Sequence, residues 1–208
     1  MSERSYGDPC GIARALDLVG ERWALLVVRE LVHGPRRFKD LRTGLAGASP
    51  NVLSQRLDEL EAGGVVQRVE GSYELTAWGK ELHPVLLSLG SWGARSPVKP
   101  AGKLSLNAFL VALESTFDAS AAQGLSARYE LKLSGVRCSV EVERERVHVA
   151  LGAPSRADAL IEGEVNELRA VVFGDRKLAD SSLTLQGDRA LGKAFVRLFK
   201  RPPRASSP

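Results

Sequence analysis

Apolar positions recur at helical spacing through the first half of the chain and alternate with polar ones through much of the second. The sharpest helical stretch runs from residue 38 to 64. Phe38 and Leu41 share one face of a short helix over 38–43, and residues 44–48 are rich in glycine and alanine. Such a turn lets two helices approach closely at a steep angle. Ser49 stands where an N-cap belongs, with Pro50 at the first helical position, where its missing N–H costs nothing. Leu53, Leu57 and Leu60 then repeat along one face until Gly63-Gly64 ends the helix.

Around this centre, residues 1–9 read as a loose arm and 10–19 as a helix with Cys10, Ala13 and Leu16 near one face. Residues 22–32 are apolar nearly all round, which predicts a buried pillar closed by Gly34-Pro35. Two short strands follow over 65–69 and 73–75, with a turn at Gly71-Ser72. A single helix over 77–93 then carries Leu82, Val85, Leu86 and Leu89 as a stripe. Such a stripe is more often ordinary core than an interface. Residues 95–103 are polar, twice interrupted by proline and aperiodic, which marks a linker.

Beyond it, Leu106, Phe109, Leu110, Leu113 and Phe117 form an amphipathic helix. Strict alternation follows in three runs: Tyr129, Leu131, Leu133; Val136, Cys138, Val140, Val142; and Val147, Val149, Leu151. These predict three antiparallel strands with one buried face and tight turns near Ser134-Gly135 and Arg144-Glu145. A fourth strand over 157–163 comes next, then a short helix with Val165, Leu168 and Val172. A fifth strand holds Leu183 and Leu185, and a last helix capped by Asp188 carries Leu191, Ala194, Phe195 and Leu198. The predicted chain is α+β with two domains. A winged helix-turn-helix occupies 1–94, the linker 95–103, an antiparallel sheet covered by helices 104–200, and a disordered tail 201–208.

Composition narrows the function more than the fold. The 208 residues carry 29 Lys+Arg against 25 Asp+Glu, a net charge of +4, so bulk charge does not announce nucleic acid; only its local arrangement does. Two cysteines give neither a zinc spacing nor a disulfide framework. No signal-peptide core opens the chain and no apolar run reaches membrane-spanning length, so a cytoplasmic protein without a membrane partner is expected. His33, His83 and His148 have no metal or triad spacing, and no phosphate-cradling loop or nucleophile motif is present. The strand acids Glu141, Glu143 and Glu145 alternate outward as a solvated face. No enzyme, cofactor or metal is expected.

The polar face of the 50–62 helix changes along its length. Ser49, Asn51, Ser54 and Gln55 begin it, with Arg56 alongside, and acids end it. A recognition helix needs this polarity, because its first turns enter the major groove and its far end leaves the phosphates. Asn and Gln pair bidentately with an adenine edge. Arg36, Arg37, Lys39 and Arg42, at the start of the preceding helix, would lie on the phosphate backbone, with Arg68 and Tyr73 of the wing beside the minor groove. The alternative is a helical hairpin with a merely solvated face.

Several motifs in order resemble the HxlR branch of winged-helix bacterial regulators across about residues 8–94. They are Cys10-Gly-Ile-Ala-Arg-Ala-Leu, Gly20-Glu-Arg-Trp-Ala-Leu-Leu, Arg37-Phe-Lys-Asp-Leu, the 53–64 segment and Tyr73-Glu-Leu-Thr-Ala-Trp-Gly. The resemblance implies a homodimer on a palindromic double-stranded operator. Dimer contacts would come from the first helix, at Leu16, and from the helix after the wing, at Leu82, Val85, Leu86, Leu89 and Trp92. Some members sense oxidants through a cysteine at the position of Cys10; the plainer reading is a small buried apolar residue.

Residues 105–200 resemble the sterol carrier protein type two domain, through an Asp158-x-x-Ile161-x-Gly163 strand, a helix, then a strand leading to Gly187-Asp188 and a helix. The resemblance implies an apolar small-molecule effector between sheet and helices, lined by Phe109, Leu113, Phe117, Leu131, Val140, Phe173, Phe195 and Phe199. Those side chains could equally fill a solid core. The whole chain therefore reads as a DNA-binding transcriptional regulator. The alternative is a lipid-binding or protein-binding adaptor whose winged helix does not read DNA.

Overall fold

The computed structural model describes residues 5–98 and 102–205, so parts of the expected arm (1–4), linker (99–101) and tail (206–208) lie outside the described residues. The chain forms two compact units, Met1–Leu86 and Leu87–Pro208.

In the first unit the helices are α1 (Gly11–Val19), α2 (Ala24–Leu31), α3 (Phe38–Gly44) and α4 (Pro50–Ala62), followed by the strands β1 (Val66–Val69) and β2 (Ser72–Leu75). Helix α2 starts two residues later than its apolar run suggests, because Trp23 takes a left-handed conformation (φ 79°) and the helix begins only after it. Its Val27, Val28 and Leu31 meet Leu41 of α3 and Leu53, Leu57 and Leu60 of α4 in one core, all at most 2 % exposed. Two glycines let the turn between α3 and α4 close. A Cβ on Gly44 would come 2.6 Å from Glu30 Oε2, and one on Gly47 would come 2.8 Å from the Trp23 ring. The arm before α1 is not loose where it is described: the Ser5 hydroxyl and the Tyr6 N–H both donate to the Asp17 carboxylate, each at 2.9 Å.

The hairpin turn is Glu70-Gly71, both left-handed, with Ser72 already in β2. Arg36 and Tyr73 exchange backbone hydrogen bonds of 2.9 and 2.8 Å, adding a short third rung to the wing. Thr76 locks the wing's base. Its hydroxyl donates to the Gly64 carbonyl (2.7 Å) and accepts the N–H of Gly79 (3.0 Å). The helix expected over 77–93 is two, α5 (Ala77–Lys80) and α6 (Leu82–Gly93). Pro84 is the reason: it has no N–H for the Lys80 carbonyl and its ring crowds that turn. The first unit ends within α6, whose Leu82 and Leu86 pack into its core.

The second unit holds the rest of α6 and then α7 (Leu106–Ser115), capped by the Ser105 hydroxyl. Strands β3 (Ala127–Leu133), β4 (Val136–Glu143) and β5 (Arg146–Leu151) form the expected meander through left-handed turns at Ser134-Gly135 and Arg144-Glu145. Strand β6 (Ala159–Gly163) leads into α8 (Val165–Val172), then β7 (Thr184–Gly187) and α9 (Arg189–Phe195). Sheet order is β5-β4-β3-β6-β7. The sheet is not wholly antiparallel, because β6 pairs parallel with β3, Leu131 opposite Ile161. After β5 the chain crosses to the other side of β3 instead of turning back on itself, which reverses the direction expected of the next strand.

Asp158 ties this arrangement together. Its carboxylate accepts the Arg128 N–H, its N–H donates to the Arg128 carbonyl (both 2.8 Å), and its carbonyl accepts the Asp188 N–H (2.9 Å). Gly187 must lack a side chain here, since a Cβ would lie 2.5 Å from the Asp158 carbonyl. Asp188 then caps α9 through the N–H groups of Ala190 and Leu191.

Candidate nucleic-acid interface

Helix α4 is placed by its cap and its buried stripe. The Ser49 hydroxyl accepts the Val52 N–H, so Ser49 is exposed yet already engaged. With Leu53, Leu57 and Leu60 inward, Asn51, Ser54, Gln55 and Asp58 face outward. The side chains of Asn51 and Ser54 have no hydrogen-bond partner among the described residues, whereas the Gln55 Nε2 donates to Glu59 Oε1 at 3.0 Å. Arg56 departs from expectation. It follows Leu53 by three positions, which turns it onto the inner face, where it is 7 % exposed. There it pairs with Glu59 and lies 3.9 Å from Glu21, so it braces the helix from behind and does not face a groove.

Arg37, Lys39 and Arg42 are exposed on and just before α3 and make no ion pair among the described residues. Arg37 also opens that helix, its N–H donating to Asp40 Oδ2 at 3.3 Å. Arg36 is half-buried, its backbone bound to Tyr73. In the wing, Tyr73 is another correction: alternation with Leu75 turns it inward, and it is 7 % exposed in the core. Its role is to hold Arg68. The exposed guanidinium donates to the Tyr73 hydroxyl at 2.6 Å and sits 4.8 Å over the ring. The first unit thus exposes neutral hydrogen-bonders on the first turns of α4, three cations on and just before α3 that make no ion pair among the described residues, and one oriented arginine on the wing. Glu59 and Glu21 belong to the same network. In the sequence Glu59 reads as solvated charge at the far end of a helix, and Glu21, in the turn between α1 and α2, carries no pattern that would mark it.

The stripe on α6 divides. Leu86 is 6 % exposed in the first unit's core, so it is not available to a partner, while Leu82 is half-buried against that core. Val85 (51 %), Leu89 (45 %) and Trp92 (75 %) are exposed. Helix α1 buries only Val19 and leaves Ile12 and Leu16 in solvent. Cys10 is exposed at the N-cap of α1, its N–H donating to Asp8 Oδ1 at 2.9 Å, so the expectation of a small buried residue does not hold.

In the second unit Phe109, Leu113, Phe117, Leu131, Val140, Phe173, Phe195 and Phe199 all join one core. Their rings interlock: Phe109 with Phe173 at 6.0 Å, Phe117 with Phe199 at 6.1 Å, and Phe195 with both Tyr129 and Phe199 at 5.0 Å. Tyr129 is fully buried and its hydroxyl has no hydrogen-bond partner among the described residues. Burial first, then the charges of Asp158 and Asp188, push that hydroxyl up to about 12. Among the described residues, no helix is long and apolar enough to cross a membrane.

Residues 18–99 match the HxlR-like helix-turn-helix family. The chain is 40 % identical over 86 residues to YvaP of Bacillus subtilis, an uncharacterized HTH-type transcriptional regulator, covering 38 % of this chain and 80 % of that protein. It is 37 % identical over 95 residues to the uncharacterized HTH-type regulator sll1512 of Synechocystis sp., covering 42 % of this chain and 70 % of the relative. Among solved structures, quinone-bound YodB from B. subtilis shares 34 % identity over 39 % of this chain and 93 % of its own, with a TM-score of 0.38.

Proposed function

The chain belongs to the HxlR-like helix-turn-helix family of transcriptional regulators, and from that premise we propose that its winged unit reads a palindromic operator in double-stranded DNA as one half of a homodimer. It is a DNA-binding regulator and not an enzyme. The observation that carries the finer reading is the exposed face of α4: Asn51 and Ser54 keep their hydrogen-bonding capacity among the described residues, and Arg37, Lys39 and Arg42, on and just before the preceding helix, are exposed without an ion pair there. In this reading Asn51 and Gln55 contact base edges, and Arg37, Lys39 and Arg68 hold phosphates. Exposed apolar side chains support the dimer: Ile12 and Leu16 on α1, and Val85, Leu89 and Trp92 on α6, are large hydrophobics of the kind that a second copy covers.

For the second unit we propose a sterol carrier protein-like effector domain. The order of its elements, the Asp158–Gly187–Asp188 tie and the aromatic core under α7 and α9 support it. An apolar molecule would have to part rings that now touch, so binding and rearrangement of those helices would occur together. A ligand shifts operator affinity only by its differential affinity for the two arrangements.

Selection of genomic fragments by the intact protein, followed by Asn51→Ala on the recovered site, tests the DNA reading. The variant is expected to lose about 1–3 kcal/mol there and to tolerate more sequences. Unchanged binding by Asn51→Ala would remove it as a base reader. Repeating the titration with a long-chain fatty acid tests the effector: thermal stabilisation with unchanged operator affinity would leave a binding domain without a sensory role.

A further inference from the structure

Glu59 sits at the point where the buried side of α4 meets its exposed side. One carboxylate oxygen, Oε2, is engaged from behind by the Arg56 guanidinium, which is itself buried and lies 3.9 Å from Glu21. The other, Oε1, accepts the Gln55 Nε2 at 3.0 Å. A carboxylate only accepts hydrogen bonds, so Gln55 can meet Glu59 only through its NH2 group. That choice fixes the rest of the amide. The Gln55 carbonyl oxygen is turned away from Glu59, and one N–H remains beside it, on the exposed face of the helix.

We infer that Glu59 is a specificity-determining positioning residue: it holds Gln55 acceptor-outward, so that Gln55 selects a base pair presenting an exocyclic amine in the major groove. This rests on the reading of Gln55 as a base reader. Adenine fits best. Its N6 amine donates to the outward carbonyl while the remaining Nε2 N–H donates to N7, leaving the first N–H on Glu59. Cytosine offers only the N4 donor. Guanine and thymine present a carbonyl where the Gln55 carbonyl points, and two acceptors face each other with no proton between them. An unrestrained glutamine would rotate its amide and accept guanine at little cost; one tethered to a carboxylate must first break a charge-assisted hydrogen bond. Arg56 and Glu21 matter here because they hold Glu59 itself in place, which makes the preference a property of the helix and its bracing and not of Gln55 alone.

The test uses the full-length protein and a library of randomised DNA duplexes, comparing selected base frequencies for wild type, Gln55→Ala, Glu59→Met and Glu59→Gln. Gln55→Ala is expected to reduce the preference at one pair per half-site about tenfold. Glu59→Met keeps the length of the side chain and removes the acceptor. It should let guanine in at that same pair and leave the base preferences at the other pairs as in wild type. Glu59→Gln retains an acceptor and should keep more of the preference than Glu59→Met, a rescue that a purely structural role would not produce. Circular dichroism of each variant establishes that the helix is intact. If Gln55→Ala flattens the preference and both Glu59 variants leave it as in wild type, Gln55 reads a base without positioning by Glu59, and the inference is overturned. If Gln55→Ala itself changes nothing, the base-reader assignment fails and the inference falls with it.

Discussion

Replacing Tyr129 by phenylalanine removes one oxygen from the centre of the second unit, and its consequences depend on pH in a direction that the structure sets. The ring is fully buried and its hydroxyl has no partner among the described residues, so in the folded state it carries a desolvation cost that the unfolded chain repays with water. Such an orphaned group costs about 1–3 kcal/mol, and deleting it leaves only a small gap, so Tyr129→Phe is expected to stabilise the unit by about 1 kcal/mol near neutral pH. The second contribution comes from ionisation. Burial and the carboxylates of Asp158 and Asp188 raise the hydroxyl from 10 to about 12 in the folded state. The protonated form is the one that folds well. Stability from this group is therefore fully present below pH 10 and is lost as pH climbs toward 12. One pKa unit corresponds to about 1.4 kcal/mol, and between pH 9 and pH 11 the wild type should lose about that much relative to Tyr129→Phe. Urea denaturation of both proteins at the two pH values, followed by far-ultraviolet circular dichroism, measures the difference between variants, in which all other titrations cancel. An equal difference at both pH values would refute the raised hydroxyl. A destabilised Tyr129→Phe at pH 9 would refute the orphaned one.

Arg37→Ala should weaken binding to operator and to unrelated DNA alike and reduce the slope of log affinity against log salt by about 0.9 per protomer; an unchanged slope would take Arg37 off the phosphates. Leu89→Glu should yield monomers with a native spectrum and no specific operator binding, read by analytical ultracentrifugation, whereas a persistent dimer would place the interface elsewhere; Leu86→Glu, by contrast, should unfold the first unit, because Leu86 is core. Gly79→Ala should cost about 3 kcal/mol of melting stability, since its Cβ would meet the Val65 carbonyl at 2.0 Å and backbone cannot step aside. Gly44→Ala should cost clearly less, because there only the end of the Glu30 side chain has to move.

What could be read in advance was local. Ser49-Pro50, the leucine stripe behind it and the alternation from Tyr129 to Leu151 are short-range signals, and α4 and the β3–β5 meander follow them closely. The burial of Arg56 and Tyr73 was also written in the spacing: Arg56 shares the Leu53–Leu60 face, and Tyr73 shares the Leu75 side of a strand. Residue chemistry, a cation and an amphipathic ring, argued for the surface, and position prevailed because each found a partner inside. The break before α6 had its signal in Pro84. The parallel pairing of β6 with β3 had none, because strand direction is set by where the chain crosses the sheet and not by any pattern within the strand. The Glu59 network also escaped, since an i, i+4 amide–carboxylate pair is common on helices. Only the burial of Arg56 shows that this one is anchored.

The wing is closed at its root and left free at its tip. Thr76 binds the Gly64 carbonyl and the Gly79 N–H, and the Arg36–Tyr73 rung seals the hairpin above it, while only Glu70 and Gly71 make the bend. Lengthening that bend would leave both closures untouched, and the entropy of a longer loop rises slowly, by about 0.6 kcal/mol for each doubling. Insertions there are therefore cheap for the fold and silent for α4. Lineages descended from such a chain can lengthen or recharge the hairpin, and so widen the stretch of operator they contact, without relearning which bases the helix reads.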